Sequence, residues 1–162
     1  MQRSRVQTLL LLVAAVFVGG YVLSRGSLGS AAPAFSLPEI DAGQVDLASY
    51  SGQPVLLVFW TTSCPICQHE LPLLNRMDPE FRSKGISVVT ICLGGPDETR
   101  DYVNTKRIAL KTLYDVNGKV GRAYRVGGVP KLVLIDKEGR IKRSTSGWAN
   151  ADVLRDWMDA VS

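Results

Sequence analysis

The sequence predicts an α/β sandwich, a central sheet with helices on both faces, preceded by a single transmembrane helix. Three observations carry this. Segments of strand and helix character alternate along the chain, as layered α/β domains require. One run, Val55 to Trp60, is apolar throughout, as a strand buried on both faces must be. A separate apolar stretch, Val6 to Leu23, stands near the N-terminus. The chain has 162 residues, 46% hydrophobic and 21% charged, which is a globular composition long enough for one domain and a little more.

Composition also excludes. Fifteen glycines and eight prolines follow no period, so the chain is neither collagen-like nor of low complexity. Nineteen basic against 15 acidic residues leave a net charge of +4, with both signs scattered and no Lys/Arg block to grip nucleic acid. The single histidine excludes a His-Glu-x-x-His zinc helix, and three cysteines are too few to staple a small scaffold.

Arg3 and Arg5 precede the apolar stretch, in which only Gln7, Thr8 and Tyr21 carry polar groups. As a helix, Val6 to Leu23 rises about 27 Å, close to the roughly 30 Å of a bilayer's hydrocarbon core. A cleavable signal has an apolar core of only about 7–15 residues. Ser30-Ala31-Ala32 offers small residues, but at a distance from the run and followed by Pro33. An uncleaved anchor is therefore expected over a removed signal peptide. A buried core helix fits poorly, because the run lacks a polar face. Two arginines and the terminal amine precede the span, and Arg25 alone follows closely. The positive-inside rule thus assigns residues 1–5 to the cytoplasm, 6–23 to the membrane and the remainder to the outer side. Residues 24–33, rich in Gly, Ser and Ala, read as a flexible tether, and 34–162 as the folded domain.

Within that domain, Phe35 to Leu37 and Gln44 to Leu47 flank Asp41-Ala42-Gly43, a turn signal, and predict a leading β-hairpin. Val55 to Trp60 is the first central strand. Pro65 suits the first turn of a helix that continues through Leu71, Leu73, Leu74 and Met77 with a kink at Pro72. Asp78-Pro79 predicts a stop and a fresh start. Ile86 to Cys92 is a second central strand, Pro96 to Ile108 a polar helix and Gly118 to Tyr124 a short one. Lys131 to Ile135 is a third strand. After a turn over Asp136 to Arg140, Ile141 to Ser144 forms an edge strand. Asn150 to Ala160 closes the chain as a helix with Val153, Leu154 and Trp157 on one face.

Cys64-Pro65-Ile66-Cys67 directly follows the buried strand and opens the helix. The spacing brings both sulfurs within reach across one turn, so they can close a small disulfide ring. The free N–H groups and positive dipole end of the helix stabilise a thiolate there. Cys64, nearer the helix end, is the expected nucleophile, and Cys67, one turn in, the resolving thiol. Half of a structural zinc site is the other reading, but a tetrahedral site needs a second pair.

Phe59-Trp60-Thr61-Thr62-Ser63-Cys64-Pro65-Ile66-Cys67, with Glu70 and Pro72 behind it, resembles the membrane-anchored thioredoxin-like proteins of the TlpA/ResA type. So do Phe35-Ser36-Leu37-Pro38, the approach from Gly52 to Trp60, Gly127-Gly128-Val129-Pro130, and Ile135-Asp136-Lys137-Glu138-Gly139, which follow in the family's order. The resemblance implies a thioredoxin-like three-layer sandwich with an N-terminal β-hairpin extension. It also implies thiol–disulfide exchange outside the cytoplasm, usually reductive, with cytochrome c maturation as a common setting. Pro130 is then the cis-proline lying against the cysteine pair, letting the Val129 backbone pair with a substrate segment. The alternative is an ordinary trans proline at a strand start. Trp60, Pro65, Ile66 and Val129 are the implied substrate-binding residues.

Glu70 lies on the same helical face as Cys67. In the family this position holds an active-site acid, which implies proton handling for the resolving thiol. A first-turn glutamate favoured by the helix dipole is the competing reading, and the sequence leaves both open. Val58 stands where cytoplasmic thioredoxins carry a buried acid, which increases the interest of Glu70. Ser63 replaces a frequent tryptophan and Lys131 a common threonine, and both changes alter the recognition surface. His69 reads as a partly exposed helix histidine and Cys92 as a small core residue.

Two further functions compete. A peroxiredoxin-type thiol peroxidase is suggested by Thr61, three residues before Cys64, although Leu57 replaces that motif's proline. A copper-binding thioredoxin-fold chaperone would use Cys64, Cys67 and His69. No cofactor motif occurs and no resident metal is expected. The expected partners are disulfide-containing exported proteins as substrates, a membrane thiol-reductant protein as electron donor, and the bacterial inner membrane through the N-terminal helix. Pro-Ile between the cysteines lacks the histidine of strongly oxidising periplasmic enzymes, which favours a reductant.

Overall fold

The computed structural model describes residues 27–161. The expected anchor, Val6 to Leu23, lies outside them, and no helix among the described residues is long and apolar enough to cross a membrane.

The element order is β1 (Ser36–Pro38), β2 (Gln44–Asp46), a 3-10 turn (Leu47–Tyr50), β3 (Val55–Trp60), α1 (Pro65–Ser83), β4 (Ser87–Cys92) and α2 (Pro96–Lys106). Then come β5 (Lys111–Tyr114), α3 (Lys119–Ala123), β6 (Lys131–Ile135), β7 (Ile141–Ser146) and α4 (Ala151–Asp159). β1 and β2 form the expected antiparallel hairpin, and the other five strands a mixed sheet in the order β5-β4-β3-β6-β7. β3 pairs parallel with β4 and antiparallel with β6, so it is the central strand.

The apolar run of β3 feeds both cores. Leu56, Val58 and Trp60 point to one face, against Leu71, Leu74, Met77 and Phe81 of α1, Val103 of α2 and Leu154 and Met158 of α4. Val55, Leu57 and Phe59 point to the other, against Phe35 and Leu37 of the hairpin and Val120 and Tyr124 at α3. Alternation on a buried strand thus makes one sequence run the floor of two cores.

Several expectations are corrected. α1 does not stop at Asp78-Pro79 but runs unbroken to Ser83 with Pro72 and Pro79 inside it. Phe81 continues the buried stripe of Leu71, Leu74 and Met77 and is itself 1% exposed. An internal proline costs about 3 kcal/mol, and burying a phenylalanine recovers about 1.5–3. β5 is an element the sequence did not suggest. Its four residues lie between β4 and the hairpin turn, where the Ile40 N–H donates to Thr112 O at 3.0 Å. In α4, Leu154, Trp157 and Met158 are buried, while Val153 stays 37% exposed. Gly29 to Ala32, within the expected tether, is bound to the β6–β7 hairpin. Gly29 N–H donates to Ile141 O at 2.7 Å, Ile141 N–H to Ser30 O at 3.0 Å, and Ala32 N–H to Gly139 O at 2.9 Å.

Candidate active site

The parallel strands β3, β4 and β5 end at one edge of the sheet, and the antiparallel β6 begins there. That edge gathers the chemistry-bearing residues, as the carboxyl ends of strands do in other α/β sheets. After Trp60, the loop Thr61–Ser63 turns the chain into α1. Gln68 Nε2 holds the loop by donating to Thr62 O at 2.9 Å, and the Thr62 hydroxyl donates to Glu98 of α2.

Cys64 is the N-cap of α1. Its Sγ accepts from the Cys67 N–H at 3.1 Å, and Pro65 occupies the first turn, where a missing N–H goes unnoticed. Cys64 and Cys67 are joined in a disulfide with their Cα atoms 5.2 Å apart. Their exposure differs as their expected roles require: Cys64 is half-buried at the surface, while Cys67 is 1% exposed. An incoming sulfur can reach only the first. Pro65 is exposed and Ile66 is 46% exposed, so both border that approach.

The opposite side of the approach is the loop before β6. The Val129–Pro130 peptide is cis. Val129 O lies 3.6 Å from Cys64 Sγ. That is a van der Waals approach in the disulfide and a position where a reduced thiol can donate. Among the described residues, the N–H groups of Gly127, Gly128 and Val129 enter no backbone hydrogen bond. They are available to an extended chain laid alongside.

Glu70 is fully buried one turn beyond Cys67. Its Oε1 accepts from the Ala149 N–H at 2.8 Å, while Oε2 has no hydrogen-bond partner. Burial pushes the carboxyl up to about 7, against the smaller, opposing effect of the Ala149 bond. The position is therefore no surface first-turn glutamate. It is a buried acid poised between its two protonation states near neutral pH, with a free oxygen.

Trp60 does not belong to a recognition surface. It is completely buried, its ring tilted against Tyr102 at 5.1 Å, and its indole N–H has no partner. As the last residue of the central strand, it packs beneath the site. Val58 lies in the same apolar core, and Ser63 is exposed with its Oγ 3.5 Å from Thr61 Oγ1. Thr61 thus turns its hydroxyl toward Ser63, whereas a peroxidase reading would want it at the reactive sulfur. His69 is exposed, and no group of three metal-ligating side chains forms among the described residues. Cys92 is a free, buried thiol, pushed up chiefly by burial and partly offset by hydrogen bonding from Thr99. Lys131 is half-buried with its Nζ 3.4 Å from Arg125 O, and desolvation together with the Arg125 charge lowers its pKa.

Two features of the site were not anticipated. Asp115, 3% exposed, accepts from the Lys119 and Gly121 N–H groups at 3.1 and 2.8 Å and so fixes the start of α3 beside the site. The loop Gly147–Asn150 forms a third wall: Gly147 N–H donates to Pro130 O at 2.8 Å, and Ala149 supplies the partner of Glu70. Asp115-Val116-Asn117-Gly118 carries a turn signal that could have marked the cap, but nothing local in Gly-Trp-Ala-Asn says which acid the loop will meet.

The AhpC/TSA family model matches residues 28–144. The thiol-disulfide oxidoreductase ResA of Geobacillus thermodenitrificans is 28% identical over 166 residues, covering 97% of this chain and 94% of that protein. ResA of Bacillus anthracis is 28% identical over 170 residues, covering 98% and 95%. Among solved structures, a protein from Chlorobium tepidum assigned as the thiol:disulfide interchange protein DsbE superposes with a TM-score of 0.78. It shares 28% identity and covers 84% of this chain and 99% of its own. The fold is thioredoxin-like, with the N-terminal hairpin as its extension.

Proposed function

The chain belongs to the AhpC/TSA family and is a ResA-like thiol–disulfide oxidoreductase with a Cys64–Cys67 pair, and on that footing we propose that it reduces disulfides in exported proteins at the outer face of the bacterial inner membrane. The observation that carries the order of events is the unequal burial of the two sulfurs. The Cys64 thiolate attacks one sulfur of the client disulfide, and the other client sulfur leaves as a thiolate and takes up a proton. Cys67 then loses its proton and attacks Cys64 in the mixed disulfide, releasing the second client thiol. Two electrons pass to the client and the protein is left with its Cys64–Cys67 disulfide.

Pro130 and Val129 hold the client segment against Cys64, with Pro65 and Ile66 on the facing rim. Glu70 receives the Cys67 proton, through the carboxylate form that burial makes scarce below neutral pH. Two electrons must return after each turnover, and the chain carries no cofactor motif. A membrane thiol-reductant protein is the donor that fits an anchor at Val6 to Leu23. The likeness to ResA supports cytochrome c maturation as the setting, while Ser63 and Lys131 give this chain a recognition surface of its own.

The test is trapping. Cys67→Ala in the full chain accumulates client mixed disulfides that a reductant releases, and Cys64→Ala accumulates none. Absence of adducts from both variants removes the proposal. Direction is read from the reduction potential: a value toward about −270 mV marks a reductant, and one toward about −120 mV a disulfide donor.

A further inference from the structure

We infer that Trp148 is a specificity-determining residue, the apolar wall against which the client side chain next to the attacked cysteine packs. This rests on the reading of the protein as a reductant of protein disulfides. Trp148 is 50% exposed, and a lone exposed aromatic needs no explanation of its own. What distinguishes it is how it is held. The residue before it, Gly147, has φ +90°, a conformation that favours glycine, and donates its N–H to the carbonyl of cis-Pro130 at 2.8 Å. The residue after it, Ala149, donates to Oε1 of the buried Glu70 at 2.8 Å. Asn150 then caps α4 by accepting from the Val153 N–H at 3.0 Å. The backbone carrying the indole is therefore tied on both sides to residues of the redox site, so little backbone freedom is lost on contact. An exposed tryptophan on a held backbone is what binding surfaces use as an anchor.

The occupant follows from the neighbouring backbone. Gly127 to Val129 leave their N–H groups unpaired beside Cys64, so an extended client segment can pair there as a short added strand. Trp148 directly follows Gly147, whose N–H is bonded to Pro130 O, and Ile66 stands two residues after Cys64. A segment running past the cis-proline thus has an aromatic ring along its path and an isoleucine on the facing rim. Such a site discriminates by apolar contact: it favours a leucine, phenylalanine or similar side chain beside the client cysteine and gains nothing from glycine.

The experiment uses the full chain in detergent, reduced in advance and freed of reductant, with single-turnover rates read by acid quenching. Three oxidants are compared: a synthetic disulfide-closed peptide with leucine beside the attacked cysteine, the same peptide with glycine there, and oxidised glutathione. Trp148→Ala is expected to slow the leucine peptide about 10-fold, equivalent to roughly 1.4 kcal/mol. The rates with the glycine peptide and glutathione, and the reduction potential, should stay as in the wild type. Trp148→Phe should restore most of the leucine rate. Equal slowing of all three oxidants, or a shifted potential, would mean that Trp148 only supports the loop that holds Glu70, and the inference fails. It fails equally if no rate changes, or if the variant alters only self-association by sedimentation or binding to phosphatidylglycerol vesicles. If the wild type reduces no peptide at all, it is the proposed function that fails.

Discussion

At the scale of single residues, Glu70 makes the sharpest statement. Its carboxyl, raised from an ordinary 4.5 to about 7 by burial, binds its proton more tightly in the folded protein than in the unfolded chain. Below pH 4.5 both forms are protonated. Above it the unfolded chain ionises first, so stability falls as pH rises through 7, by about 3 kcal/mol in all. Glu70→Gln should abolish that fall, and urea midpoints of wild type and variant should diverge in favour of the variant between pH 5 and 8. Parallel curves would show that the acid is not held neutral by burial. Under the proposed mechanism the same variant should also flatten the rise with pH of the step in which Cys67 resolves the mixed disulfide. The sequence made Glu70 visible because a three-residue spacing puts it on the face of Cys67. Its depth and its partner were not visible, because Ala149 lies 79 residues away and reaches it only through the packing of α4.

At the scale of elements, α1 shows tertiary packing overriding local preference. Asp78-Pro79 is a reasonable stop signal, yet Phe81 has a place in the core that only a continuous helix can reach. Phe81→Ala should destabilise the protein by about 3–5 kcal/mol, measured by denaturant unfolding. Asp78→Ala, which removes the 2.6 Å pair of a half-buried Asp78 with the exposed Arg82, should cost only about 1 kcal/mol. A reversal of that order would mean that surface charge carries the helix past the proline. β5 illustrates the opposite difficulty. Lys111-Thr112-Leu113-Tyr114 has too few residues to declare a period, and it is a strand because β4 and the hairpin turn offer it partners. One such tie is the buried Thr90–Thr112 hydroxyl contact at 3.0 Å, which joins residues that no sequence pattern relates.

At the scale of the whole molecule, the redox edge and the N-terminal segment sit at different ends of the sheet. Gly29 to Ala32 is bound to the β6–β7 hairpin near Gly139 and Ile141, whereas Cys64 lies where β6 begins. In hydrogen exchange the Gly29 and Ala32 amides should be protected well beyond chain-like rates. Exchange as fast as in an unstructured peptide would return this stretch to the tether. The layered class, the buried central strand and the cysteine pair at a helix start were legible from residues 34–162, and the place of Pro130 from the family resemblance of its Gly127-Gly128-Val129-Pro130 motif. Each is written in a local signal: hydrophobic period, cap, spacing or motif. Folding decided what depends on residues far apart in the chain. It buried Trp60 rather than presenting it, ran α1 through Pro79, recruited β5, and brought Gly147 and Ala149 against Pro130 and Glu70. Local order follows from neighbouring residues, whereas a partner across the core is fixed only when the sheet and its two faces are packed.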